Sequence, residues 1–164
     1  MNFIYIGEIV NTHGLKGEVR ILSDFKYKNE IFKVGSHLYI GKKKEEVIIK
    51  TYRTHKNYDM VTLEGKNDIN DVIIYKGELV YFDKDNLNID GYLDEDLIGF
   101  TVYQNDKNVG IVKSLKQSKL YTLLVVINNE KEYLVPNNAN FVLNVDLVNK
   151  KIYIIEMVGL VDEN

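Results

Sequence analysis

The sequence predicts a mainly β protein built from two small β-barrels in tandem. Short runs rich in Ile, Val, Tyr and Leu alternate with polar residues, which is the period of a half-buried strand. Gly, Asn and Asp separate these runs, as hairpin turns require. Many short strands with few helices favour two barrels over a parallel sheet, and barrels also remove exposed sheet edges.

The first half of the chain contains six predicted strands and one helix. The strands cover residues 3–10, 17–22, 37–41, 46–53, 58–64 and 78–82. Residues 68–76 (DINDVIIYK) predict a helix that Asp68 caps and Gly77 ends. Helical spacing places four residues on one face of this helix: Ile69, Val72, Ile73 and Lys76.

Composition changes at residues 83–96, which are polar, acidic and poor in β-branched side chains, as linkers are. We therefore expect a first domain at 1–83, a linker at 84–94 and a second domain at 95–164. The second domain contains predicted strands at 98–103, 109–115, 121–127, 132–135 and 151–156. The turns between them carry Asn105-Asp106, Asn128-Asn129 and Asn149-Lys150, which tolerate left-handed backbone.

The charge of the 164-residue chain is −3 and is unevenly distributed. Up to Lys84 there are 14 Lys and Arg against 12 Asp and Glu, and from Asp85 onward 7 against 12. A protein that binds RNA mainly through phosphates is normally basic overall, so a protein partner has at least equal weight. The chain has no Cys, no apolar run of the ~20 residues that span a membrane, and no leader-like start. We expect a cytoplasmic protein without membrane contact.

Two groups of residues are candidates for chemistry. His13 could act as a general base, but no orienting partner and nucleophile accompany it in a known pattern. Gly14 and Gly17 favour a tight strand connection instead. The run Asp94-Glu95-Asp96 could hold a metal, although adjacent residues of an extended chain point in different directions. We expect no enzymatic activity, metal or cofactor.

The 12 Tyr of the chain are a weak indication of a base-stacking platform. Tyr5, Tyr39, Tyr103 and Tyr153 fall in alternating strands, where half-buried Tyr is common. The Lys42-Lys43-Lys44 run is followed directly by two glutamates, so a solvated hairpin tip is favoured over a phosphate site.

Residues 6–25, IGEIVNTHGLKGEVRILSDF, resemble the N-terminal signature of the bacterial ribosome maturation factor family RimM. Seven residues match it: Gly7, His13, Gly14, Lys16, Gly17, Glu18 and Val19. Four later segments match in the same order: DVIIYKGELVYF, YLDEDLIGFTVY, YLVPNNANFVLNVDLVNKKIYI and VGLVDEN. The resemblance implies a translation-factor-like barrel followed by a PRC-type barrel, with a closing hairpin near the end.

The function that the resemblance implies is assembly rather than catalysis. Such a protein binds the immature 30S subunit through small-subunit ribosomal protein nineteen and promotes head maturation and 16S rRNA processing, here as a monomer. The matching positions implied to bind partners are His13, Gly14, Lys16, Gly17, Tyr92, Leu93, Asp96, Leu97, Ile98 and Gly99. Leu93 departs from the family, which usually has a second aromatic residue there.

Two other functions compete with this interpretation. One is a general RNA-binding translation accessory module, for which RNA alone is the ligand. The other is a hydrolase or RNA-processing enzyme that uses His13 and the acids at 94–96.

Overall fold

The computed structural model describes residues 1–118 and 122–157. The chain divides into two compact units, Met1–Asp90 and Gly91–Asn164. Each unit contains one six-stranded sheet and its own hydrophobic core. The predicted fold class, mainly β with two small β domains, is confirmed. Among the described residues, no helix has the length and apolar character needed to cross a membrane.

The sheet of the first unit is a closed barrel with strand order β1-β2-β5-β4-β3-β6. Its strands are β1 (Phe3–His13), β2 (Glu18–Leu22), β3 (His37–Ile40), β4 (Glu45–His55), β5 (Tyr58–Leu63) and β6 (Leu79–Asp83). Two short helices, α1 (Lys28–Ile31) and α2 (Ile69–Val72), and a 3-10 turn at Ile73–Tyr75 lie between these strands, and a second 3-10 turn at Lys84–Asn86 follows β6. The sequence did not predict α1.

The first strand closes this barrel because it pairs with β2 along one edge and with β6 along the other. Both pairings shift register, at Ile9/Asn11 against β2 and at Tyr5/Gly7 against β6. Gly7 is required at this bend, since a Cβ atom there would lie 2.7 Å from the carbonyl oxygen of Leu22. Bulges of this kind bend a strand strongly enough to close a small barrel.

One buried carboxylate lies among the core residues of the barrel. Asp59 is 2% exposed, and its two oxygens contact Lys28 Nζ at 2.9 Å and the hydroxyl of Tyr52 at 2.6 Å. Burial, and then the hydrogen bond to Asp59, raise the pKa of Tyr52 to about 12. The carboxylate therefore connects β5 to α1 and β4.

The helix predicted for residues 68–76 is correct at its start, where Val72 of the predicted face is fully buried, and wrong in its later part. Asp68 caps it by accepting a hydrogen bond from the backbone N–H of Asn70 at 2.7 Å. After one α-helical turn the chain tightens into the 3-10 turn, which rotates later side chains away from α-helical positions. As a result Tyr75 is buried, whereas Ile73 is 53% exposed and Ile74 is 68% exposed.

The sheet of the second unit has strand order β10-β9-β8-β7-β12-β11. Its strands are β7 (Thr101–Gln104), β8 (Lys107–Gln117), β9 (Thr122–Asn128), β10 (Lys131–Pro136), β11 (Val142–Asp146) and β12 (Lys151–Ile154). β12 runs parallel to β7, and the other neighbouring pairs are antiparallel. The strand list predicted from periodicity omitted β11, which only the family resemblance implied.

Predicted turns between these strands have the expected backbone. Asn105 and Asp106 both have positive φ, at 51° and 63°, and so do Asn129 and Lys150. Residue 121, the predicted start of one strand, and the resembling segment 158–164 lie outside the described residues.

The 3-10 turn Asp94–Leu97, which precedes β7, contributes Leu97 to the core of the second unit. Leu97 is fully buried and packs with Phe100 and strand residues such as Val102 and Ile152. Its neighbour Ile98 points outward and is 48% exposed. Adjacent apolar residues of similar size therefore have opposite environments.

We expect Leu97→Ala to lower the free energy of unfolding by about 2–5 kcal/mol, because it removes a fully buried side chain and leaves a cavity. Ile98→Ala, the matched control, should change it by less than about 0.5 kcal/mol. Urea unfolding followed by circular dichroism measures both. Equal losses in the two variants would contradict the burial difference.

The Tyr52–Asp59 contact predicts a loss of stability at alkaline pH. The pKa of Tyr52 is raised in the folded protein, so this contribution is complete below about pH 10, the pKa of a free Tyr. It should disappear as pH rises from there toward the folded-state value. Urea unfolding across this range should show a steeper decline for the wild type than for Tyr52→Phe. Parallel declines would show that Tyr52 is not the responsible group.

Candidate functional site

The loop between β1 and β2 contains the glycines of the resembling segment. Gly14 has φ +69° with open space around it, and the side chains of Leu15 and Lys16 are exposed. Gly17 has φ +87°, and a Cβ atom there would overlap the carbonyl oxygen of Lys66. The carbonyl of Leu15 also accepts a hydrogen bond from the N–H of Ile69 at 2.9 Å. The loop is therefore shaped by its glycines and held against the start of α2.

His13 lies at the end of β1, where its ring is engaged by an arginine. Arg20 Nη2 donates a hydrogen bond to His13 Nδ1 at 2.7 Å. Because a guanidinium can only donate, Nδ1 acts as the acceptor and the ring proton lies on Nε2. The ring of His55, at the end of β4, lies 5.8 Å from the His13 ring between centroids. The structure thus brings two histidines together from distant parts of the sequence.

A second arginine beside them is neutralised by a carboxylate. Arg53 donates two hydrogen bonds to Glu18, at 2.9 and 2.7 Å, in the fork geometry typical of strong pairs. These bonds lower the pKa of Glu18 below its ordinary value. Arg20 has no comparable pair, and its Nε is buried without a hydrogen-bond partner among residues 1–118 and 122–157.

We define the basic cluster as His13, Arg20, Arg53, His55 and Lys56. The pKa of His55 is lowered, first by partial desolvation and then by the positive charges of Arg53 and Lys56. The positive charge of the basic cluster therefore opposes the binding of another cation and favours the binding of an anion.

A buried methionine lies beneath this cluster. Met60 on β5 pairs with Arg20 on β2 and with Arg53 on β4. Directly opposed residues share a face, so Met60 lies outside the barrel interior, and yet it is fully buried. Arginine stems commonly cover apolar surface in this way, which restricts where their guanidinium groups can lie.

The second candidate surface is the 3-10 turn Asp94–Leu97, which we call the acidic turn. Asp96 Oδ2 accepts a hydrogen bond from the backbone N–H of Leu93 at 2.9 Å. The backbone N–H of Asp96 donates a hydrogen bond to the carbonyl oxygen of Leu93, also at 2.9 Å. Asp94 Oδ1 accepts a hydrogen bond from Asn137 Nδ2 at 2.9 Å. Asp96 and Asp94 therefore have structural hydrogen bonds, and the side chain of Glu95 is exposed.

The sequence-predicted residues around this turn differ in their environment. Leu97 is fully buried and Leu93 is 8% exposed, so both belong to the core rather than to an accessible surface. Tyr92 is half-buried against that core. Ile98 and Gly99 are exposed, and Gly99 has φ +93°. Any partner of this turn would touch the exposed residues, and the two leucines would support them from below.

Arg20, Arg53 and His55 were not among the site residues predicted from the sequence. Strand alternation could have placed both arginines on the outer face of the sheet. Their approach to His13 could not be predicted in this way, because β4 is distant from β1 in sequence and only the barrel brings the ends of these strands near each other. Across the described part of the chain, no group of three or more His, Asp or Glu side chains is arranged to hold a metal ion.

Two family models match the chain. The RimM N-terminal domain matches residues 4–87 and the RimM PRC barrel domain matches residues 94–160.

Curated relatives match over nearly their full length. A protein named ribosome maturation factor RimM from Staphylococcus haemolyticus is 38% identical over 97% of this chain and 99% of its own. A protein of the same name from Shouchella clausii is 36% identical over 99% of both chains. The solution structure of the N-terminal domain of RimM from Thermus thermophilus aligns with a TM-score of 0.47 at 19% identity, covering 54% of this chain and 98% of that one. The chain therefore belongs to the ribosome maturation factor RimM family.

Proposed function

We propose that the protein is a non-enzymatic assembly factor for the small ribosomal subunit. In this proposal it acts in the cytoplasm as a monomer, binds the immature 30S subunit through small-subunit ribosomal protein nineteen, and promotes head maturation and 16S rRNA processing. The observation that carries the proposal is the similarity of both units, in order, to proteins named ribosome maturation factors.

The basic cluster supports a contact with 16S rRNA. RNA presents phosphate oxygens, and Arg20 brings a half-buried guanidinium group to this surface, where it contacts the His13 ring. His55 and Lys56 lie beside it at the end of β4 and in the turn that follows. The exposed loop residue Lys16 extends the positive charge toward the β1–β2 connection. We propose that these groups contact the phosphate backbone, which positions a protein without reading sequence.

The acidic turn supports a contact with a basic protein. Glu95 and Asp96 are exposed beside the apolar side chain of Ile98, which is 48% exposed. An apolar contact with a charged rim is the usual composition of a protein interface, and opposite charges steer the partners together. Tyr92 could add an aromatic contact, since aromatic residues are enriched at such interfaces.

The rival function, a general RNA-binding translation accessory module, would need the basic cluster and not the acidic turn. Gradient fractionation of cell extract distinguishes the two. The assembly factor should travel with free small subunits and not with complete ribosomes. Recovery solely in the ribosome-free fractions at low salt would contradict the proposal.

We expect Arg20→Gln to weaken binding to immature small subunits and to reduce the slope of log affinity against log salt by about 1, because one phosphate contact is lost. Lys33→Gln is the matched control, since it removes the same charge from an exposed site on the same unit. Sedimentation at several KCl concentrations measures both slopes. The RNA contact would be wrong if the two variants behaved alike.

Ile98→Ala should weaken binding to small subunits and to purified ribosomal protein nineteen by roughly 3- to 30-fold, the range for an interface residue worth about 1–2 kcal/mol. Ile111→Ala is the matched control, because Ile111 is 47% exposed on β8 of the same unit. Tyr92→Ala should act in the same direction as Ile98→Ala.

Truncation of Leu93 or Leu97 would be a poor test, since both residues are buried and the variants would lose stability. Thermal melts should show Ile98→Ala folding as the wild type does. If that variant bound small subunits and ribosomal protein nineteen normally, the acidic turn would not be the partner surface.

A further inference from the structure

The outer face of β1, β6 and β3 carries aromatic side chains in register. Tyr5 on β1 pairs with Tyr81 on β6, and Tyr81 pairs in turn with Tyr39 on β3. Directly opposed residues share a face of the sheet, and the alternate residues of these strands form the barrel core. Phe3, two residues before Tyr5, lies on the same outer face. We call Phe3, Tyr5, Tyr39 and Tyr81 the aromatic face.

These rings contact one another and are partly open to solvent. Phe3 lies 4.8 Å from Tyr39 and Tyr5 lies 6.3 Å from Tyr81, between ring centroids. Tyr39 is 5% exposed and forms the covered base, whereas Tyr5 is 53% exposed and Phe3 is 36% exposed. The surface continues through Leu22 and Leu79, which are 49% and 41% exposed on the neighbouring strands.

A lysine of the same chain already lies over this face. Lys44, in the β3–β4 turn, has positive φ of 54°, and its Nζ lies 4.0 Å from the centroid of Tyr81. The same Nζ lies 5.9 Å from the ring of Phe3. Both distances fall within the range of an attractive cation–π interaction. The face therefore binds an ammonium group, while Tyr5 retains open ring surface.

The charges around the open part of the face are negative. Glu8 pairs in register with Leu22 and Leu79, and lies between these two exposed leucines. Burial, and then the carboxylates of Glu8 and Asp24, raise the pKa of Tyr5. At the covered end, burial and then the carboxylates of Glu46 and Asp83 raise the pKa of Tyr39. Carboxylates beside the rings would repel the phosphates of RNA and attract positively charged side chains.

We propose that the aromatic face, with Glu8 and Asp24, binds an extended protein segment rich in arginine or lysine. A guanidinium group would stack on the open ring of Tyr5 and pair with the two carboxylates, while its neighbours contact Leu22 and Leu79. Arginine suits this surface because its planar group is weakly hydrated and stacks on aromatic rings. This site shares no residue with the basic cluster or the acidic turn, and it goes beyond the proposed function because it does not require the ribosome.

The test uses the full chain and a fluorescent synthetic peptide of alternating arginine and glycine, with binding followed by anisotropy. Tyr5→Ala should weaken peptide binding by about threefold, the loss expected for one exposed cation–π contact. Tyr5→Phe keeps the ring and should bind as the wild type does. Tyr153→Ala, which removes a half-buried strand tyrosine of the second unit, should leave the affinity unchanged.

A double variant, Glu8→Gln with Asp24→Asn, tests the carboxylates without altering the rings. It should bind the peptide more weakly at low salt and show a smaller salt dependence than the wild type. This variant keeps the proposal testable if thermal melts show that Tyr5→Ala is poorly folded.

A labelled oligouridylate distinguishes the competing ligand. Oligouridylate binding should be insensitive to Tyr5→Ala and no weaker in the carboxylate variant. If Tyr5→Ala instead abolished oligouridylate binding and left peptide binding intact, the face would be a base-stacking platform and the proposal would be wrong. Peptide binding that is unchanged in both the ring and the carboxylate variants would also overturn it.

Discussion

Closure of the first barrel depends on a single strand that pairs along both of its edges. β1 extends over Phe3–His13 and pairs with β2 on one side and β6 on the other. The close approach at Gly7, where a Cβ atom would lie 2.7 Å from a carbonyl oxygen of β2, permits the bend. A larger residue there would force β1 and β2 apart, and the barrel would have two free edges.

The same closure determines which side chains share the outer surface. β1 carries Tyr5 near its beginning and His13 at its end, so it contributes to two surfaces of different character. Toward β6 and β3 the outer residues are aromatic, with carboxylates beside them. Toward the end of β4, Arg20 and Arg53 lie opposite the buried Met60 in the sheet, and the rings of His13 and His55 lie near each other. One rigid strand thus supports a surface suited to cations and another suited to anions.

In the second unit, buried residues hold a short charged turn in place. Leu93 and Leu97 anchor both ends of the acidic turn in the core, and the reciprocal hydrogen bonds between Leu93 and Asp96 fix its backbone. Glu95 and Ile98 are exposed as a consequence. A turn of this length has little stability of its own, so its shape derives from the core beneath it.

Local patterns in the sequence determined the fold class, most strands and the turns at Asn105-Asp106 and Asn129, because period-two alternation and left-handed turn residues are properties of neighbouring positions. They also determined the cap at Asp68. They did not predict that Tyr75 is buried and Ile73 exposed after the first helical turn, since a change to 3-10 geometry depends on packing. The meeting of His13 with Arg20, Arg53 and His55, and the alignment of Tyr5, Tyr81 and Tyr39, were decided only by the tertiary structure. Strand order and register join residues that lie far apart along the chain, and no local pattern encodes that pairing.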